Sequence, residues 1–308
     1  MNGVFTSVAL SELGPAKFAL GIAFSRDRTA RTITLSQTAF VDKIVSCFNL
    51  SDAHPCDMPM VAGLVLRRPD KSIPVPPEVA EWRARTPYRA LVGALNYLAV
   101  ATHPDVVYAV GCLSSFMDCY TPEHWSAALR VLRYLKGTRT MGLTLGGTNS
   151  LRLLGYSDSD YANCPDSSRS ISSYCFSLGS GTISWMSKKQ RVVADSSCYA
   201  EYIALHDSSH EVAFLRELLT GLGFAPAATT PILCDNDAAR RLAEDHVGHP
   251  NVKHIRVKFH YIRELVNDGT VSLSRVRSAD NIVDIFTKPL ARGDFQRLQQ
   301  YLGIRASP

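Results

Sequence analysis

Residues 151–162 read LRLLGYSDSDYA, an apolar run that breaks into alternating serine and aspartate. A carboxylate ending a buried run is costly unless it is paired, hydrogen-bonded or holding a cation. Downstream, SYCFSLG and TISWMS flank a Gly-Ser-Gly turn at 179–181, a pattern that predicts antiparallel strands joined by a tight hairpin. A long amphipathic helix follows from about Cys198 to Leu222, with Ile203, Ala204, Phe214, Leu215, Leu218 and Leu219 facing inward. PILC (231–234) reads as a short buried strand before a helix beginning near Asn236. Another helix spans about 251–267 and stops at Gly269, and the strand TVSLSRV (270–276) precedes a terminal helix. Three strands, helix, strand, helices, strand, helix: the order predicts an α/β unit, a mixed five-stranded sheet with flanking helices.

Within that order, four acids occupy four kinds of place. Asp158 ends the first strand, Glu201 opens the long helix in AEYIAL, Asp235 follows PILC, and Asp284 lies in NIVDIFTK on the predicted last helix. Converging carboxylates suit hard divalent cations and phosphate chemistry. Any one acid in a sequence is most often a solvated surface charge, and Asp160 and Asp237 read that way.

The first half is mainly helical after a few strands. KFALGIAFS (17–25) and TITLSQ (32–37) are β-like, and TAFVDKIVSCFNL (38–50) has a helical face. Residues 52–87, which include RRPDKSIPVPPE, read as loop or linker. YRALVGALNYLA (88–99) and PEHWSAALRVLRYLKG (122–137) are strong helices, the second ending at Lys136 and Gly137. GGTNS (146–150) is the flexible boundary, which gives domains of 1–147 and 148–308.

With 46% hydrophobic and 20% charged residues over 308 positions, the composition is that of a globular chain long enough for two cores. A net charge of +5 is compatible with a polyanionic partner without demonstrating one. The eight cysteines form no C-x-x-C pair, which argues for free thiols in a reducing compartment rather than for a zinc site or a disulfide framework. No apolar run has membrane-spanning length, and an intracellular protein with no membrane partner is expected.

Beyond the residue types, the blocks GYSDSDYA, SRSISSYCFSLGSGTISWMSKKQ, VVADSSCYAEYIAL, ILCDND, KHIRVKFHYIRE and NIVDIFTKPL resemble the ribonuclease H domain of copia-type retrotransposon polyproteins. In the first half, ELGPAKFALGI, ITLSQ, YRALVGALNYLA, THPDVVYAV and LRVLRYLKGT are similar to the end of the palm, the thumb and the connection of the same polyprotein's reverse transcriptase. The resemblance implies a ribonuclease H-like fold preceded by a mainly helical thumb and connection region. It also implies that the polymerase's palm aspartate pair lies upstream of this stretch, so that polymerase activity is not expected from it alone.

The resemblance assigns Asp158, Glu201, Asp235 and Asp284 to a catalytic quartet holding two Mg2+ ions (Mn2+ as a substitute) roughly 3.5–4 Å apart. The implied reaction is cleavage of the RNA strand of an RNA–DNA hybrid. Related integrases and transposases place their glutamate last, whereas here the order is Asp, Glu, Asp, Asp. Substrate contacts are expected from Lys188, Asn236, Lys253, His254, Arg256 and Arg263. Lys253, Arg256, His260 and Arg263 recur at helical spacing opposite Ile255, Phe259, Ile262 and Val266, and this basic stripe is either a phosphate-binding face or a solvated one. Asn236 either reads a 2′-hydroxyl or caps the helix that follows it. His254 either assists at the site or is structural. Further partners implied are the remaining polyprotein segments, palm and integrase, and the implied location is the cytoplasm, in a virus-like particle, or the nucleus. The alternative is a catalytically silent element remnant that only binds nucleic acid or a partner polypeptide.

Overall fold

The computed structural model describes residues 14–147, 152–226, 228–244 and 256–306. Its first sheet begins with β1 (Phe18–Ala19), β2 (Ile22–Asp27) and β3 (Thr32–Ser36), and β4 (Met141–Gly146) adds to β3. The turn before β3 closes because Asp27 Oδ1 accepts the backbone N–H groups of Thr29 and Ala30 at 2.8 and 2.9 Å, an Asx arrangement. Between β3 and β4 run α1 (Thr38–Cys47), α2 (Pro77–Arg85), α3 (Tyr88–Ala101), α4 (Val107–Ser114) and α5 (Pro122–Gly137). Within the stretch expected to be loop, α2 is helical. Pro77 sits at the first helical position, Glu78 in the first turn and Arg83 and Arg85 in the last, so proline here starts a helix rather than breaking one. The start of α5 is closed by a capping box in which the Thr121 N–H donates to His124 Nδ1 at 3.1 Å. Leu91, Leu95 and Leu98 of α3 pack with Val131, Leu132 and Leu135 of α5 in one core.

The second sheet is the expected one. It comprises β5 (Leu153–Asp160), β6 (Ile171–Leu178), β7 (Gly181–Lys189), β8 (Thr230–Cys234) and β9 (Val271–Arg275), in the order β7-β6-β5-β8-β9. β5, β6 and β7 are antiparallel neighbours, whereas β8 is parallel to β5 and β9 to β8. This is the mixed five-stranded sheet that the order of elements predicts. Helices α6 (Ser197–Gly221), α7 (Asp237–Glu244) and α8 (Arg256–Asn267) complete the unit. Strand alternation divides β6 between two cores: Tyr174 and Phe176 join Tyr202 and Leu205 of α6, while Cys175 joins the core of the first half. On β7 the Trp185 Nε1–H donates to the Ala99 carbonyl at 2.9 Å, so this face of the sheet rests on α3.

The chain end departs from expectation. Asp284 lies on a short 3-10 turn, Ile282–Phe286, and not on the last helix, which is α9 (Arg292–Tyr301). After α9 comes β10 (Ile304–Ala306), antiparallel to β4, which makes it the edge strand of the first sheet. Leu298, Leu302 and Ile304 are buried in the first-half core. The cores therefore cross the expected division at 147/148, and residues 148–151 themselves lie outside the described residues. Gly181 marks a close approach between the sheets: a Cβ there would stand 2.3 Å from the Thr144 carbonyl oxygen.

A buried polar knot fixes the returning segment. Asp105 Oδ2 accepts from the hydroxyl of Tyr134 on α5 and, at 2.8 Å, from Gln299 Nε2 on α9, while His103 Nδ1 stands 3.5 Å from its other oxygen. Burial pushes the Asp105 carboxyl up, but the nearby His103 ring and the bonds from Tyr134 and Gln299 outweigh it and hold the group below the usual carboxylate range. Removing the shared acceptor strands several buried donors. Asp105→Ala is expected to cost about 3–5 kcal/mol, measured as a lowered urea midpoint. An unchanged midpoint would show that the knot does not support the fold.

Candidate active site

The parallel pair β5 and β8 is in register at Gly155↔Ile232 and Tyr156↔Leu233. Two residues beyond this pair stand Asp158 on β5 and Asp235 just past the end of β8, so the two carboxylates follow adjacent strands at the same level. β8 ends at Cys234 while β5 continues to Asp160, and the gap opens at the carboxyl ends of the strands, where open α/β sheets bind ligands. The third acid comes from α6, whose start is capped by Ser196 Oγ accepting the Tyr199 N–H at 3.2 Å. This places Glu201 in the second turn, buried, with a hydrogen bond from the Ser159 backbone. The 3-10 turn brings the fourth acid, Asp284, whose Oδ2 lies 3.1 Å from Lys288 Nζ.

Each of these elements is tied to the strand it faces. The Asn281 side-chain amide donates to the Ser157 carbonyl at 3.3 Å, and the Thr287 hydroxyl donates to Asp158 Oδ2 at 3.0 Å. Gln190 Nε2 reaches Ser159 Oγ, Ser172 Oγ and the Ala200 carbonyl at 3.2, 2.8 and 2.9 Å. One buried amide thus braces β5, β6 and α6 together. Sequence reading gave no role to Asn281, Gln190, Thr287 or Lys288. The available signal was spacing: Thr287 and Lys288 follow Asp284 by three and four residues, which on a turn returns them to the same side.

Asp158 is 5% exposed and Glu201 6%. Burial first, then the charges of Asp284 and Asp235, push the Asp158 carboxyl up to about 7 against the opposing pull of Thr287 and Lys288. Glu201 is held well above its ordinary value by burial and by Asp158 and Asp235. Asp284 is also raised, by burial against Lys288, with Asp235 adding to it. Crowded carboxylates that repel one another in a poorly hydrated gap favour protons or cations.

The donor set fits a hard divalent ion. Ligand atoms of Glu201, Cys234 and Asp235 all lie within 4.8 Å of one another, and the buried Glu201 Oε2 has no hydrogen-bond partner. Cys234 belongs to this group by position only, because burial pushes its thiol far above neutrality and keeps it protonated. The usable donors are carboxylate oxygens, which suit Mg2+, Ca2+ or Mn2+ over softer metals.

The expected substrate contacts divide. Lys188 is exposed near the end of β7, opposite Ser172, and so lies on the strand rather than in the loop before α6. Asn236 caps α7: its Oδ1 accepts the Ala239 N–H at 2.9 Å. The Arg263 guanidinium donates to the Leu242 carbonyl at 3.1 Å and ties α8 to α7. Lys253 and His254 lie outside the described residues, as does the side chain of Arg256 at the start of α8. Ser172 and Ser173 are buried within the sheet.

No family model matches the chain. It is 35% identical over 301 residues to the retrovirus-related Pol polyprotein from transposon TNT 1-94 of Nicotiana tabacum, covering 98% of this chain and 22% of that polyprotein. To the retrovirus-related Pol polyprotein from transposon RE2 of Arabidopsis thaliana it is 38% identical over 283 residues, covering 91% of this chain and 19% of the relative. The chain thus spans about a fifth of the length of these curated relatives. Among solved structures, LC11-RNase H1 in complex with an RNA/DNA hybrid aligns with a TM-score of 0.34 at 14% identity, over 44% of this chain and 94% of that one.

The raised Asp158 carboxyl fixes the sign of a pH effect. A folded-state value of about 7, against an unfolded value of about 3.9, means that the native state binds the extra proton. Stability without divalent cation is therefore full below about pH 4 and is lost as pH rises toward and through about 7. Asp158→Asn is expected to flatten this slope and to stabilise the metal-free protein at pH 8 by on the order of 2–4 kcal/mol. Chemical denaturation in EDTA from pH 5 to 8 measures both, and a wild-type stability that climbs across that range would contradict the assignment.

Proposed function

We propose, for a chain that belongs to the transposon-borne family of retrovirus-related Pol polyproteins, a metal-dependent ribonuclease H activity that cuts the RNA strand of an RNA–DNA hybrid. The observation that carries this reading is the group of carboxylates around the unpartnered Glu201 oxygen at the ends of β5 and β8. Asp158, Glu201, Asp235 and Asp284 would hold two Mg2+ ions, with Mn2+ as a substitute, whose chemistry when bound is to activate a water and to offset charge on the leaving oxygen.

The rest of the work falls to the protein's own groups. Thr287 holds the Asp158 carboxylate in one orientation through its 3.0 Å bond. Lys288, paired with Asp284 and half-buried, keeps one positive charge at the site and limits the repulsion that the four acids would otherwise feel. Its ammonium would also attract a phosphate oxygen of the substrate. Lys188, exposed near the end of β7, would offer a second phosphate contact at the same end of the sheet. We assign the first 147 residues to the end of the palm, the thumb and the connection of the same polyprotein, a region whose packing against β6 and β7 would hold the nuclease unit in a fixed attitude toward the duplex.

The test is a cleavage assay with purified protein, Mg2+ and an end-labelled RNA–DNA hybrid. Wild type is expected to release shortened RNA, and Asp158→Asn or Glu201→Gln to lose at least about a thousandfold in rate, in keeping with loss of electrostatic stabilisation at a reacting centre. Hybrid binding should survive both substitutions. Absence of cleavage, or equal cleavage by Asp158→Asn, would leave the duplex-binding reading in its place.

A further inference from the structure

On the third and fourth turns of α6, beyond the acidic gap, His206 and His210 stand one helical turn apart with their Nε2 atoms 3.2 Å from each other. We propose that this pair chelates a borderline divalent transition cation of the Zn2+, Ni2+ or Cu2+ class, at a site separate from the carboxylate cluster. Imidazole nitrogens bind such ions at about 2.0–2.1 Å. Two nitrogens on one ion, at coordination angles between square and tetrahedral, must then lie about 2.9–3.4 Å apart. The observed separation falls inside that interval, so the ion would enter with little movement of either ring.

The surroundings prepare both rings. His206 Nδ1 faces Asp207 Oδ1 at 3.5 Å. A proton on Nδ1, directed at that carboxylate, leaves the Nε2 lone pair for the metal, the arrangement by which carboxylates orient metal-binding histidines. His210 stacks on Tyr261 of α8, with ring centroids 4.1 Å apart and planes 11° from parallel, and His206 meets the same tyrosine edge-on at 5.9 Å. One aromatic side chain therefore sets the attitude of both imidazoles. Without metal, one Nε2–H donates to the other nitrogen across the 3.2 Å gap. Metal binding moves that proton to the Nδ1 of the same ring, and the cation takes its place between the two lone pairs.

The site is accessible. His210 is exposed, and the His206 side chain retains 14% of its surface. Two nitrogen donors fill only part of a coordination shell, so water or another small ligand would complete it. Imidazole donors also separate this site from the quartet by cation type, since Mg2+ prefers oxygen.

Titration of the full chain with Ni2+ by calorimetry, in excess Mg2+, tests the proposal, together with Cu2+ electron paramagnetic resonance. Wild type is expected to bind one Ni2+ that His206→Ala or His210→Ala weakens at least about tenfold, and Asp207→Asn about tenfold. The Cu2+ spectrum should show splitting from two nitrogens, reduced to one in His210→Ala. Glu201→Gln should leave all of this unchanged. His210→Ala removes an exposed side chain, and an unaltered melting temperature in EDTA confirms its fold. Ni2+ binding equal in wild type and both histidine variants would overturn the site, as would binding lost in Glu201→Gln but kept in His210→Ala.

Discussion

Two parallel strands that stay in register and then separate are the constraint from which the acidic site follows. β5 and β8 pair through Tyr156 and Leu233, and the level at which they part delivers Asp158 and Asp235 side by side. Neither acid would be placed there by local preference, because aspartate is a poor strand residue and a buried carboxylate is costly. The sheet determines their positions, and α6 and the 3-10 turn add Glu201 and Asp284 to a gap that already exists. What results is a region of the protein in which negative charge is concentrated and Lys288 opposes it from close range. Such a gap lowers the stability of the empty protein and favours whatever cation can enter, as expected where function is built at the expense of local stability.

The carboxylates keep their positions through neutral neighbours. Asn281, Thr287, Ser173 and Gln190 each link two elements across the site, largely through backbone carbonyls or hydroxyls. Neutral donors orient a carboxylate without cancelling its charge, which a second lysine or arginine would do. That division of labour, polar amides and hydroxyls for position and acids for binding, resembles how metal sites elsewhere are held. Behind it, the first half of the chain supports β6 and β7 through Trp185, Cys175 and the close contact at Gly181.

Much of this was legible in the sequence because it rests on local patterns. The GSG hairpin, the apolar face of α6 and the buried run PILC each specify their own element. The acid at the end of LRLLGYS was conspicuous because it interrupted an apolar strand. Long-range partners were less visible. Nothing near Leu302 or Ile304 indicates pairing with β4, since a three-residue strand has too little alternation to read and its partner lies far away in sequence. The helix in PPEVAEWRAR was hidden by prolines that here occupy its start. Arg263 repeated at the spacing of a basic stripe, and only the position of α7 shows its guanidinium committed to Leu242. Asn236 carried two readings that no sequence argument separated, and the capping bond to Ala239 is the one present.

The return of β10 to the first sheet also governs the order in which the chain can mature. β4 receives its outer neighbour through Leu143 and Ile304, a pairing that closes a loop containing the whole second sheet. Contacts of such sequence separation form late, because a long stretch must first be gathered in. During synthesis the edge of β4 therefore remains unpaired while β5 to β9 emerge and fold. An uncovered edge strand invites pairing with other chains, and the interval before residue 304 arrives is when this protein is most exposed to that error. The last described strand thus acts as a latch that can reach β4 only after β5 to β9 have been synthesised.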